Sequence, residues 1–187
     1  MLSPLPAAAQ MQPAGSVIAA LSGDWNQDQV PDAVLILRAA EGMADLVVLT
    51  GDPVDGLHPL ITLPGVVSAG PMAGQLPGLE TQSVTSFAIT TQQSGIGRTA
   101  WHQRITVAWR DGGFVVAGYD YDFYDRLDLS RHGICSVNLL SGRFELTFGP
   151  GDEAAQVQRQ GATDGRAFPL ADLGEEFSAP ACAQLFR

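Results

Sequence analysis

Lysine is absent from this chain. All ten basic residues are arginines, which excludes Schiff-base catalysis through a lysine amine and the phosphate-cradling lysine of a P-loop. Positive charge is scarce altogether: 10 basic against 20 acidic residues give a formal charge of -10 and a pI near 4.5. A surface of that sign repels phosphate backbones and anionic lipid headgroups, so nucleic acid is not an expected partner. No apolar run reaches the roughly 18 residues of a transmembrane helix, so membrane insertion is not expected either. The three histidines, His58, His102 and His132, are scattered, with no Cys, His or Glu at metal-ligand spacing. The patterns G-x-S-x-G, H-E-x-x-H and C-x-x-C are missing, so no local motif pairs a nucleophile with its base or holds a zinc ion.

Helical periodicity is also scarce. The best stretch is DEAAQVQRQG, with Asp152 as N-cap and Gly161 as stop, and ACAQLFR at the end fits one helical turn. What dominates is short apolar or alternating runs punctuated by Gly and Pro. Val17–Leu21, Ala33–Leu37 and MADLVVLT (43–50) read as strands, the last two joined by the turn AAEG. GDPVDGLHP (51–59) reads as a loop. Four glycines and three prolines between Pro64 and Gly78 predict a long surface loop. TSFAITTQQ, then TAWHQRITVAW with Trp101, Ile105, Val107 and Trp109 at even spacings, predict two further strands. Asp111-Gly112-Gly113 turns the chain back into FVVAGYDYDFY, a strong hairpin signal. CSVNLL, Ser141-Gly142 and RFELTF make a second hairpin. The expected fold is mainly β: one antiparallel domain over residues 16–187, a sandwich or open barrel with minor helix. At 187 residues, 45% apolar and 16% charged, the chain suffices for one well-buried core.

The opening MLSPLPAAAQ carries Ala7-Ala8-Ala9, a small-residue pattern of the kind found at secretory cleavage sites. Residues 1–15 are read as the tail of a signal peptide or a flexible Pro/Ala leader, and the protein as periplasmic or secreted. Cys135 and Cys182 lie 47 positions apart. In an exported chain they suit one disulfide, contributing about 3–4 kcal/mol in the chain-entropy model; otherwise they are two buried thiols.

The most informative stretch is GDWNQDQVPDAVLIL, from Gly23 to Leu37. Counting from Asp24, oxygen-bearing side chains fall at positions one (Asp24), three (Asn26), five (Asp28) and nine (Asp32), and Val30 offers its carbonyl at position seven. Calcium takes closely spaced hard oxygen ligands of this kind; a turn with self-bonded Asp and Asn side chains needs fewer of them. The stretch resembles the calcium loop of FG-GAP repeats, D-x-[DN]-x-D-x-x-x-D between two strands. The likeness covers about 20 residues, from Val17 to Leu37, in one copy, which argues against a multi-blade propeller. It implies calcium held by Asp24, Asn26, Asp28, the Val30 carbonyl and Asp32. Gln29 stands where that family favours Gly, and a left-handed non-glycine residue there costs about 1 kcal/mol, so binding in the millimolar range is expected. Position twelve is Leu35, which excludes a sensor EF-hand.

Three other features carry less. GIGRTA (95–100) matches a dinucleotide fingerprint but precedes a strand where that fingerprint needs a helix, so it reads as a hairpin tip. In YDYDFYDRLD, Asp120 and Asp122 share one strand face and Tyr119, Tyr121 and Phe123 the other. The acids are read as a solvated face, since i, i+2 neighbours on one strand cannot straddle a substrate as a glycosidase pair does. Finally, FVVAGYDYDFYDR…CSVNLLSGRFEL following GDWNQD is similar to the signature of a family of small exported proteins of Gram-negative bacteria that has no assigned activity, with Ser141 where that pattern prefers Thr. The likeness spans Val17 to Phe148 and implies export and β structure. Together these features predict a non-enzymatic exported module with one structural calcium site and an envelope protein or small molecule as partner. The alternative is an envelope hydrolase or enzyme inhibitor working through Asp120, Asp122 and the 64–78 loop.

Overall fold

The computed structural model describes residues 16–149, 157–175 and 177–186, with side chains given through Leu185. The leader reading of residues 1–15 therefore lies outside the described residues, apart from the boundary at Ser16. The chain folds as two antiparallel sheets facing each other across a shared core, an open sandwich and not a closed barrel.

The first sheet is a meander of β1 (Val17–Gly23), β2 (Asp32–Arg38), β3 (Met43–Asp52) and β4 (Gly56–Ser68), in that spatial order. The second continues the meander through β5 (Gly78–Ser83), β6 (Ser86–Gln93), β7 (Thr99–Arg110), β8 (Gly113–Asp125), β9 (His132–Asn138), β10 (Arg143–Gly149) and β11 (Val157–Ala162). A two-residue strand, β12 (Phe168–Pro169), pairs with Val115 and Val116 of β8. Every neighbour in each meander is antiparallel and adjacent in sequence, the arrangement that short Gly-containing turns permit. The predicted Asp-Gly turn is present, with φ of 51° at Asp111 and 83° at Gly112, and a second turn of the same hand sits at Glu41-Gly42 (57° and 79°).

Three sequence expectations are corrected. GDPVDGLHP is not a loop: β3 runs to Asp52, β4 starts at Gly56, and only residues 53–55 turn. The 64–78 segment is not one loop either, because Pro64–Ser68 belongs to β4 and Gly78 begins β5, leaving residues 69–77 between them. The prolines are tolerated because β4 is an edge strand that pairs only with β3, so their missing N–H groups are not needed by a neighbour. At Gly65, φ is +63° and the ladder bulges; the Asp45 carboxylate accepts the Gly65 amide at 2.9 Å and keeps it satisfied. The third correction is DEAAQVQRQG: its part within β11, from Val157 to Gly161, is extended and pairs with Phe144–Phe148, while residues 152–156 lie outside the described residues. Local helical pattern lost there to a cross-strand ladder. The terminal helical turn is present as a 3₁₀ segment, Pro180–Phe186.

Alternation sets the core. Val34, Ile36, Leu46 and Val48 of the first sheet pack against Phe87, Ile89, Val107 and Val116 of the second. The residue that plugs the space at one end comes from the acidic loop. Trp25 is 1% exposed, its ring centroid 4.9 Å from Phe87 and 6.3 Å from Phe114. At the other end, Cys135 of β9 is bonded to Cys182 of the 3₁₀ segment, with the Cα atoms 5.5 Å apart and both residues fully buried. Of the two cysteine readings, the disulfide is the one the fold adopts. Trp25→Ala is expected to cost about 3–5 kcal/mol, the range for removing a buried aromatic from a well-packed core, read as a lowered midpoint in urea unfolding with the slope unchanged.

Candidate functional site

The acidic loop leaves β1 at Gly23 and re-enters at Asp32, two residues paired across the ladder that closes its base. Inside, the side chains at alternating positions turn onto the loop's own backbone. Asp24 Oδ1 accepts the Asp28 amide and Asp24 Oδ2 the Gln29 amide, both at 3.0 Å. Asn26 Oδ1 also accepts the Asp28 amide (3.0 Å), and Asp28 Oδ1 accepts the Val30 amide (2.8 Å). Asn26 Nδ2 donates to Asp28 Oδ2 at 2.7 Å. The curl needs two left-handed residues, Gln27 (φ 61°) and Gln29 (φ 72°). Gln29 thus adopts the strained conformation expected at position six, and Gln27 adds a second that the sequence pattern did not foretell.

Asp32 is placed differently from its three companions. It is 1% exposed; Oδ2 accepts the Trp25 amide at 3.2 Å and Oδ1 the Gly51 amide of β3 at 3.1 Å. The structure brings Asp24, Asn26 and Asp28 together and sets Asp32 behind them as the anchor of the loop to the sheet. Among the described residues, no group of three or more His, Cys, Asp or Glu side chains is gathered as a metal site. Two glycines make the packing possible. A Cβ at Gly23 would lie 2.8 Å from the Trp25 ring, and one at Gly51 would lie 2.4 Å from the Pro31 carbonyl oxygen.

A second polar surface lies on the outer face of the second sheet. Asp120 and Asp122 do share that face, and Tyr119, Tyr121 and Phe123 do point inward to the core. Cross-strand register builds two rows: Ser136–Asp120–Arg104–Thr90 and Ile134–Asp122–His102–Gln92. The side chains pair across the strands. Ser136 Oγ donates to Asp120 Oδ1 (2.6 Å), His102 Nδ1 lies 3.1 Å from Asp122 Oδ2, and Arg104 reaches over to Glu80 of β5 (2.6 Å). Glu80, Gln92, His102, Arg104, Asp120 and Asp122 line an open groove of about 480 Å³. The 64–78 segment contributes no residue to the lining of this groove. Hydroxyl and imidazole are served by different carboxylates, Ser136 by Asp120 and His102 by Asp122, so no relay links them.

The sequence passed over two further polar centres. Asp125, at the end of β8 and 4% exposed, accepts Arg98 Nε at 2.7 Å and the Leu127 amide at 2.9 Å. With Arg126 donating to the carbonyls of Gly97 and Ser94, it ties the β6–β7 tip, the segment read as GIGRTA, to the β8–β9 loop. The Arg98 hydrogen bond, outweighing the cost of burial, holds the Asp125 carboxyl below the usual carboxylate range. On the inner face, Gln103 accepts Thr91 Oγ1 (2.9 Å) and donates to the Tyr119 hydroxyl and the Phe177 carbonyl (both 3.1 Å), which seats the C-terminal strap, residues 177–186. Burial beside this strap pushes the Tyr121 phenol up to about 12. Only a signal of long-range pairing could have found these residues, since their partners Thr91, Arg98 and Phe177 lie 12 to 74 positions away.

The fold and these surfaces define an antiparallel β sandwich with a self-bonded acidic loop at one edge and a polar groove across one face. No family model matches the chain, and no curated protein and no solved structure matches it.

Two outcomes are expected. Asp32→Ala leaves two buried amides without an acceptor and costs about 3 kcal/mol or more, whereas Asp28→Ala, in the exposed part of the loop, costs under about 1 kcal/mol; chemical denaturation of both variants checks the contrast. Because the folded-state pKa of Asp125 lies below its unfolded value of about 3.9, its stabilisation is present above that pH and is lost as pH falls through the lower value. The melting-temperature gap between wild type and Asp125→Asn should be widest near neutrality and should close on acidification.

Proposed function

We propose that the protein is a non-enzymatic binding module of the periplasm or the extracellular medium, with loop 24–32 taking a weakly held structural calcium ion. The observation that carries this reading is the ordering of Asp24, Asn26 and Asp28 by backbone amides of the same loop. Side chains already turned inward lose little further freedom on taking an ion. Each carboxylate oxygen that accepts one amide keeps a second lone pair. Asp24, Asn26, Asp28 and the Val30 carbonyl would hold the ion, with Asp32 contributing the remaining lone pairs of its two oxygens. Bound there, calcium supplies two positive charges against three carboxylates and fixes the strained turn at Gln27 and Gln29. The likeness of the loop to FG-GAP calcium loops supports the same ligand set. The Cys135–Cys182 disulfide supports an oxidising compartment, as does the likeness to small exported Gram-negative proteins.

The second reading, an envelope hydrolase or enzyme inhibitor, is favoured by the groove that Asp120 and Asp122 line. The engagement of Asp120 by the Ser136 hydroxyl, of Asp122 by His102 and of Glu80 by Arg104 favours binding over turnover.

With a dissociation constant near 1 mM, about 10 mM calcium would stabilise the fold by about 1.4 kcal/mol, or about 3–6 °C in melting temperature for a domain of this size. The shift is expected for wild type in calcium against EDTA, and absent in Asp28→Ala. Identical melting of wild type in calcium and in EDTA would refute the calcium reading.

A further inference from the structure

We propose that the groove on the outer face of the second sheet is a binding site for a neutral polyhydroxylated ligand, a short oligosaccharide. This rests on the reading of the chain as a binding module and names the ligand class for a surface separate from the calcium loop. The inference starts from the hydrogen-bonding capacity left over once the groove's side chains have bonded one another. Among the described residues, nothing bonds Asp120 Oδ2, Asp122 Oδ1 or Glu80 Oε1, so three acceptors remain. Donors remain as well: the second amino group of Arg104 and the carboxamide of Gln92, which bonds to none of the described residues.

That mixture decides between ligand classes. An anion would meet three carboxylates against one guanidinium. A cation would satisfy the acceptors but would lie against Arg104, which sits between Glu80 and Asp120 and cannot lose its proton. A hydroxyl both donates and accepts, so adjacent hydroxyls on one ring can bridge an acceptor and a donor in the same row. Groups fixed by mutual pairing also reduce the ordering cost of capture.

Dimensions and the rim agree with this. From Asp120 on β8 to Glu80 on β5 the groove crosses three strand-to-strand steps of about 4.8 Å, or about 14 Å, the length of about three sugar rings. On β8, Tyr124 follows Asp122 by two residues, lies on the same face and is 39% exposed. Ile134, 54% exposed, stands directly across from Asp122 on β9. Tyr124 thus offers an aromatic surface at the groove's end against which the C–H face of a ring can lie.

The test is an amide chemical-shift titration of the full chain with cellotetraose, maltotetraose, xylotetraose and chitotetraose in turn, each at millimolar concentration, with spermine and inorganic phosphate as charged comparisons. Each is run in calcium and in EDTA, so that loss of the calcium loop registers separately from loss of the groove. The expected result is saturable shifts centred on β5–β8 with at least one tetrasaccharide, little changed by salt. Asp122→Asn and Arg104→Ala should weaken that binding tenfold or more, while Gln160→Ala on β11 leaves it unchanged; an unaltered amide spectrum shows that each variant is folded. The proposal is overturned if none of the four sugars shifts groove amides, if spermine or phosphate alone binds there with a steep salt dependence, or if the groove variants bind sugar as well as wild type.

Discussion

The buried carboxylate of Asp32 is the contact on which this end of the molecule depends. It stands at the first position of β2, accepts one amide from the loop it closes and another from the end of β3, and is nearly inaccessible to water. Polar groups cannot be left unbonded at that depth without a cost of kilocalories each, so three chain segments must meet there in one geometry. Holding the Trp25 amide fixes the tryptophan backbone, which aims the indole between the sheets at Phe87 and Phe114. A pattern of three acids and one asparagine that reads as surface therefore encloses Trp25, the largest fully buried side chain among the described residues.

The opposite end is closed by covalent and hydrogen-bonded ties of a different kind. The Cys135–Cys182 bond fastens the C-terminal strap to β9, and Gln103 holds the strap through the Phe177 carbonyl. With the first sheet and the strap covering one face of the second sheet, its other face is left to solvent. From Tyr119 to Phe123 the consequence is a strict division, Tyr119, Tyr121 and Phe123 inward and Asp120 and Asp122 outward. The groove is thus a product of sheet closure: the same alternation that buries Tyr119 presents Asp120 and Asp122 in register with Arg104 and His102.

Much of the strand pattern was legible because its signals are local. Asp111-Gly112 can adopt the two left-handed conformations that a tight hairpin requires, and the flanking alternation leaves one register for it. The misread segments share one cause. Pro59, Pro64 and Gly65 look like breakers until β4 is known to be an edge strand with its bulge filled by Asp45, twenty positions away. Val157–Gly161 carries a weak helical pattern, and pairing with β10 overrides it. Neither partner is encoded near the residue it rescues.

The sequence by itself determined the class of fold, the hairpins, the division of β8 into two faces and the alternating oxygens of Asp24, Asn26, Asp28 and Asp32, since all of these depend on period and on turn chemistry within a few residues. Only the tertiary structure decided that Asp32 faces inward as an anchor, that Trp25 belongs to the core, that the two cysteines are bonded, and that Glu80 meets Arg104 across the groove. Those outcomes depend on which strands become neighbours. Neighbours are chosen by burial of the whole core, a quantity no short window of residues contains.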